Sequence, residues 1–289
     1  MTLRVGLVGA GPWAGMFHAP MLAAGPRTNL ASVWARRPEA AAELAATYDV
    51  TPAATYDDLL ARCDAVAFAV PPPVQAVLAP QAARAGKHLL LEKPLGFTPA
   101  EAEAIAAAAD ASGVQSLVVL RNRFTAEGRA FVERARSAPA MGATAVFVSG
   151  AALPGSSFAA PWRVEKGAMF DLAPHAIDLL DAALGPVTGI SAVGDPLRWL
   201  GLTLEHDGGA VSQVALSITT PGETGPFRIE AHTADGPVLF DGAASDDDPD
   251  VHEAITTAFA EAVDSGTPHP LDVHRGVFLQ RLIEEARRR

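Results

Sequence analysis

The chain has 289 residues, 49% of them apolar and 19% charged, with a mean hydropathy of +0.18. That composition supplies a sizeable core and excludes a disordered or fibrous protein, and the length suits about two domains. Lys and Arg number 22 against 33 Asp and Glu, a net charge of −11, so nucleic acid and anionic membrane surfaces are disfavoured partners. Lone Cys63 closes no intrachain disulfide and completes no Cys/His zinc pattern, which suits a reducing cytoplasm. Gly6, Gly9 and Gly11 break the first apolar run into strand and turn. Pro71, Pro72 and Pro73 break the run over 65–80, so neither stretch is expected to serve as a signal core or a membrane span.

From Thr2 to Arg121, β-rich apolar runs alternate with alanine-rich helical stretches. Strands are expected at 3–8, 30–35, 65–70, 88–91 and 115–120, and helices at 13–24, 38–48, 56–61, 74–85 and 99–112. Thr98 before Pro99 is an N-cap followed by proline at the first helical position, with Glu101 in the first turn; Gly86 and Gly113 stand where helices stop. Continuous apolar strands alternating with helices imply a doubly wound parallel sheet of Rossmann type. The rhythm changes near Asn122. A helix over 125–138, a strand over 144–150 and a helix over 170–184 precede strand-like runs at 190–193, 201–206, 211–219, 227–233 and 238–240. Asp207-Gly208-Gly209 and Asp235-Gly236 mark hairpins between them, and helices over 250–265 and 271–288 close the chain. The expected class is therefore α/β: a dinucleotide-binding domain over 1–121 and an α+β substrate domain over 122–289 with an open, mostly antiparallel sheet. The uncovered face of that sheet points to a homo-oligomer.

Gly9-Ala10-Gly11-Pro12-Trp13-Ala14 follows the first strand and opens a helix, matching G-x-G-x-x-G/A. Gly9 permits the tight turn, Gly11 lets the backbone approach a pyrophosphate, and the small Ala14 lets helix and strand pack closely. A carboxylate at the end of the second strand would hold the 2′-hydroxyl of NAD. Ala35-Arg36-Arg37 stands there instead, favouring the 2′-phosphate of NADP, with NAD still admissible. A solvated helix start is the other reading of the two arginines.

Glu92-Lys93-Pro94 lies at the carboxyl end of a buried strand, where open α/β sheets place ligands. Lys93 could donate to a carbonyl or alcohol oxygen beside a nicotinamide; a structural Glu–Lys pair is the alternative. In Asp171-Leu172-Ala173-Pro174-His175, helical spacing puts carboxylate and imidazole on one face, with Asp178 nearby; equally, the helix could begin at Pro174 with Asp171 before it. Either way an imidazole able to exchange a proton near neutrality lies close to a carboxylate. A helix cap with a core histidine, a relic of lost activity, and a metal site with Asp178 remain open beside this. No metal is needed, because a nicotinamide carries the hydride.

Gly9-Ala10-Gly11, Val70-Pro71-Pro72, Ala85-Gly86-Lys87-His88 and Glu92-Lys93-Pro94 together resemble the Gfo/Idh/MocA oxidoreductases. The likeness runs on through Asn122-Arg123-Phe124, Trp162-Arg163 and the closing helices. It implies a two-domain NAD(P)-dependent enzyme acting on sugars, inositols or related carbonyl and alcohol compounds. Asp171 and His175 match the family's D-x-G-x-H motif, with Ala173 in place of glycine, and inherit its substrate-binding and proton-transfer roles. Gln75 stands where family members often carry histidine.

The expected catalytic set is Lys93, Asp171 and His175, with the ammonium and the imidazole converging on a bound nicotinamide. Cofactor contacts are expected from Gly9, Gly11, Pro12, Trp13, Ala14, Arg36, Arg37, Pro71, Pro72, Glu92 and Lys93. Substrate contacts are expected from Asn122, Arg123, Trp162 and Arg163 besides the catalytic pair. His18 is expected on the first helix surface, 245–250 as a solvated capping loop, and 287–289 as a frayed tail. A non-catalytic NADP(H) sensor, and an enzyme that recycles bound cofactor during dehydration or epimerisation, are the rival functions.

Overall fold

The computed structural model describes residues 2–221, 227–245 and 250–288. Most of the acidic loop expected at 245–250, and the last arginine of the expected tail, lie outside them. Contacts divide the chain into two compact units, Met1–Val119 with Pro249–Phe278, and Leu120–Asp248 with Leu279–Arg289. The grouping thus differs from a single cut at residue 121.

In the first unit β1 (Leu3–Val8), β2 (Thr28–Trp34), β3 (Ala65–Phe68), β4 (His88–Leu91) and β5 (Ser116–Val118) form a parallel sheet in the order β2-β1-β3-β4-β5. Val5, Leu7 and Val8 of β1 and all of β3 are completely buried, as expected of strands covered on both faces. The covering helices are α1 (Ala19–Ala24), α2 (Pro38–Thr47), α3 (Tyr56–Arg62), α4 (Pro72–Arg84) and α5 (Pro99–Ser112). Helix α5 begins in a complete capping box between Thr98 and Glu101 and ends at Gly113 in the left-handed conformation. Before α1 the chain makes a π-helical turn, Ala14–His18, in which the Ala19 amide bonds the carbonyl of Ala14. His88, at the head of β4, accepts the Gln115 amide on Nδ1 at 2.9 Å; burial pushes its imidazole below the ordinary value, against an opposing pull from Asp64.

The second unit contains α6 (Ala126–Arg136), β6 (Ala140–Val148), α7 (Pro161–Lys166), α8 (Ala168–Asp171), α9 (Ala173–Leu184), β7 (Val187–Asp195), β8 (Trp199–His206), β9 (Val211–Ser217), β10 (Arg228–Thr233) and β11 (Gly236–Asp241). Its sheet has the order β11-β10-β6-β9-β8-β7, antiparallel throughout except for the parallel β6–β9 pair. Strand alternation is clean: Leu200, Leu202 and Leu204 of β8 are buried on the face that α9 covers. On the opposite face Val146, Val193, Trp199, Val211 and Leu239 are exposed. Phe147, Phe227, Phe240 and Phe131 form a chain of ring contacts with centroids 4.8 to 5.8 Å apart, fixing β6 against β10 and β11.

Two helices close the chain, α10 (Val251–Ser265) and α11 (Val273–Arg288). The first belongs wholly to the first unit: it packs on α1, β2 and β5, buries Ile255 and Phe259 completely, and pairs Asp264 with Arg27. The link before α11 is fixed to β5 by the Val118 amide on the Leu271 carbonyl, 2.7 Å, and the Val273 amide on Ser116 Oγ, 3.0 Å. Helix periodicity announces a buried face here, but not the surface it covers.

Candidate functional site

Strand order reverses at β1 in the first unit, and a cavity of about 330 Å³ opens at the carboxyl ends of β1, β2 and β3. It is lined by Gly9 to Gly11, Trp34 to Arg37, Ala69 to Pro71, Ala40 and Val74. The two glycines differ physically. Gly9 has φ +122°, and a Cβ there would lie 2.3 Å from the Ala69 carbonyl oxygen, so only glycine fits the approach to β3. A Cβ on Gly11 would meet nothing within 4 Å, leaving open space at the turn for a ligand to approach the backbone. Ala14 is fully buried, as the third position of the motif requires. Arg36 and Arg37 are exposed on the rim. An open glycine turn, helix start and paired guanidiniums fit the diphosphate and ribose end of a dinucleotide. The cavity thus gathers Gly9, Gly11, Arg36, Arg37 and Pro71. Pro12, Trp13, Ala14, Pro72, Glu92 and Lys93 are not in its lining.

A second cluster in the same unit centres on Glu92, 9% exposed. Its Oε1 accepts the Trp13 indole N–H and lies against His18 Nε2, each at 2.8 Å; its Oε2 accepts the Lys93 amide at 3.2 Å. Gln75, completely buried, clamps the Glu92 backbone: Oε1 accepts the Glu92 amide at 2.9 Å and Nε2 donates to the Glu92 carbonyl at 2.8 Å. Lys93 is half-buried beside this network. His18 therefore does not lie on a helix surface, as its sequence position suggested. The π turn adds one residue to the repeat, and the imidazole faces the end of β4, completely buried.

The second unit holds the other candidate groups. Asp171 ends α8 and His175 is the third residue of α9; the chain passes between the two helices at Leu172, with Pro174 in the first turn of α9. Asp171 is buried and accepts Arg163 Nε at 3.0 Å. The Arg163 guanidinium lies 4.6 Å from the Trp162 ring centre and donates to the Phe158 carbonyl at 3.1 Å. Asp178, one turn beyond His175, is almost completely buried and faces Arg123 Nη1 at 3.3 Å. Buried carboxylates need such partners, since isolated charges at this depth are strongly disfavoured. His175 is half-buried, its ring 6.3 Å from that of Phe147. Asn122 contributes its carbonyl, bonded by the Thr125 hydroxyl at 3.1 Å in the turn that leads into α6. Asp171, His175 and Asp178 thus follow one another along α8 and α9, and the two carboxylates are each paired with an arginine from another element, Arg163 and Arg123. Among the described residues no group of three or more His, Cys, Asp or Glu side chains could hold a metal.

Residues 3–120 match the family described as oxidoreductase family, NAD-binding Rossmann fold, and residues 140–238 match the GFO/IDH/MocA C-terminal domain. The chain belongs to the Gfo/Idh/MocA oxidoreductases. It is 33% identical over 215 residues to the dTDP-3,4-didehydro-2,6-dideoxy-alpha-D-glucose 3-reductase of Streptomyces violaceoruber, covering 71% of this chain and 59% of that protein. It is 38% identical over 103 residues to the UDP-N-acetylglucosamine 3-dehydrogenase of Acidithiobacillus ferrooxidans, 36% of this chain and 32% of that one. The match therefore spans less than two thirds of either relative. Among solved structures, the WlbA dehydrogenase of Bordetella pertussis in complex with NADH and UDP-GlcNAcA superposes with a TM-score of 0.86 at 24% identity, covering 100% of this chain and 96% of that one. Levoglucosan dehydrogenase with NADH and levoglucosan gives 0.85 at 19%, covering 100% and 97%. These superpositions establish the shared fold.

For this Gfo/Idh/MocA member the structure makes prominent three side chains to which the sequence reading assigns no part in the site, although it singles out Gln75 and His18. Gln75 and His18 hold Glu92 from 17 and 74 residues away, distances at which no local pattern signals contact. Trp34 lines the crevice at the end of β2, tilted against Tyr56 at 5.4 Å, and its β-strand setting gives it the sequence appearance of core.

Proposed function

We propose that the protein is an NADP-preferring oxidoreductase that moves a hydride between the nicotinamide and a carbonyl or alcohol carbon of a sugar, inositol or related small molecule. The observation that carries the reading is the crevice at the strand reversal. Its glycine turn is open where a pyrophosphate needs space, and its rim carries two guanidiniums and no carboxylate. The nicotinamide, when bound, supplies or accepts the hydride. Lys93 is assigned to the substrate oxygen, where an ammonium stabilises developing negative charge. His175 is assigned to proton transfer at the same oxygen. Asp171, neutralised by Arg163, is assigned to a substrate hydroxyl rather than to orienting the imidazole. Asn122, Arg123, Trp162 and Arg163 are assigned to the substrate side, and Pro12, Trp13, Ala14, Pro71, Pro72 and Glu92 to the walls of the cofactor site.

No described helix is long and apolar enough to cross a membrane, and lone, buried Cys63 suits a cytoplasmic setting. The exposed apolar side chains on the second unit's sheet support self-association through that face.

The test is a panel of free sugars, inositols and nucleoside diphosphate sugars with NADPH or NADH, followed at the nicotinamide absorbance. Turnover with at least one member, lost about a hundredfold or more in Lys93→Ala and His175→Ala at unchanged NADPH affinity, is the expected result. NADPH binding without net turnover of any member would favour a sensor or a recycled cofactor instead.

A further inference from the structure

His18 follows the glycine loop, yet its ring is completely buried and Nε2 lies 2.8 Å from Glu92 Oε1. A carboxylate only accepts, so the imidazole proton sits on Nε2 and points at Oε1. His18 Nδ1 is buried and has no hydrogen-bond partner among the described residues, so a proton there would be stranded. The ring is fixed by Phe17, which meets it edge-on at 5.6 Å and is itself stacked on Trp13 at 4.7 Å. An imidazole that only filled space here would be better replaced by an apolar side chain, because burying its polar atoms carries a desolvation cost. What it adds is a second donor on Oε1, and the other oxygen of that carboxylate holds the peptide N–H of Lys93.

We infer that His18 is a positioning residue: through the Glu92 carboxylate it fixes the peptide from which Lys93 projects, and Trp13 joins the glycine loop to the same oxygen. The inference rests on the assignment of Lys93 to the nicotinamide end of the site. Without the His18 donor, Oε1 keeps only the Trp13 indole among these two, and the carboxylate loses one of the bonds that set its plane.

Lys87, Lys93 and Lys166 are the lysines of this chain, so trace acylation with acetic anhydride followed by peptide mass spectrometry reads each separately. Lys87, bonded to the Cys63 carbonyl at 2.9 Å, and Lys166, paired with Glu165, serve as internal standards. In the cofactor-free protein, His18→Phe is expected to move the Lys93 rate by about tenfold, the equivalent of one hydrogen bond to a charged group. Lys87 and Lys166 should keep their wild-type rates. His18→Gln, whose amide can still donate to Glu92, is expected to restore Lys93. If His18→Phe does not fold, His18→Asn, too short to reach, takes its place with the same expectation. An unchanged Lys93 rate in a folded variant, or a parallel change at all three lysines that Gln fails to rescue, overturns the inference and leaves His18 a packing residue. Protection of wild-type Lys93 by saturating NADPH is measured alongside. Its absence would overturn the assignment of Lys93 and leave the His18 effect on the free protein standing.

Discussion

Gly9 and Gly11 stand two residues apart in one turn, and the structure assigns them opposite sensitivities. At Gly9 an added methyl meets the Ala69 carbonyl oxygen at 2.3 Å, with the backbone at φ +122°, a region alanine avoids. The strained backbone costs about 1–3 kcal/mol and the forced shift of β3's carboxyl end about the same again, so Gly9→Ala should lose about 2–6 kcal/mol. For a chain of this size that is a fall in Tm of about 5–15 °C, a large share of a typical stability. At Gly11 the same methyl meets nothing within 4 Å, so Gly11→Ala should keep Tm within about 3 °C. That methyl would, however, project where a pyrophosphate approaches, and NADPH should bind about tenfold or more weakly, a change of about 1.4 kcal/mol. Thermal unfolding and fluorescence titration with NADPH read the two effects independently. A wild-type Tm for Gly9→Ala, or a Gly11→Ala variant that binds NADPH normally, would refute the reasoning.

Substituting Arg36 and Arg37 together by alanine should weaken NADPH about tenfold more than NADH at moderate salt, because only NADPH carries the 2′-phosphate; equal losses in parallel titrations would remove the arginines from cofactor choice. His88 has its imidazole pKa lowered by burial, so the unfolded chain binds its proton more readily than the folded one does. Its contribution to stability is present above the ordinary histidine value of 6.5 and is lost as pH falls through the lowered folded value. Tm should therefore drop between about pH 7 and pH 5, with His88→Asn flattening that part of the profile; a variant curve parallel to wild type would contradict this. Trp199→Glu on the exposed sheet face should shift sedimentation towards monomer without lowering Tm by more than about 3 °C, whereas an unaltered distribution would mean that this face is not where copies meet.

Periodicity carried much of the fold because its elements are locally determined. The strands Leu3–Val8 and His88–Leu91 and the helix Pro99–Ser112 fall where the sequence places them, the helix bounded by a capping box and a left-handed glycine. Strand ends drift where pairing decides: β6 begins at Ala140, four residues before its apolar run, because Ala140 to Ala143 pair with β10. The parallel β6–β9 pair had no local signal, since the hairpin turns announce only their own antiparallel partners. The crevice at the strand reversal gathers residues that the sequence groups locally, Gly9 and Gly11 in one turn and the adjacent Arg36 and Arg37 in another. The pairs Arg163–Asp171 and Arg123–Asp178 were not legible, because each joins separate elements, and the imidazole of His18 was read outward because an α-helical period misplaces a side chain in a π turn.

The return of residues 249–278 to the first unit has a consequence for synthesis. The groove between α1, β2 and β5 stays open until Ile255 and Phe259 have been made, and the 129 residues of Leu120–Asp248 leave the ribosome first. The nucleotide-binding half, although encoded first, therefore cannot close its core until the second unit's main segment has been made, and that unit waits in turn for Leu279–Arg289. A nascent chain halted anywhere before α10 would carry an apolar seam for a chaperone to cover.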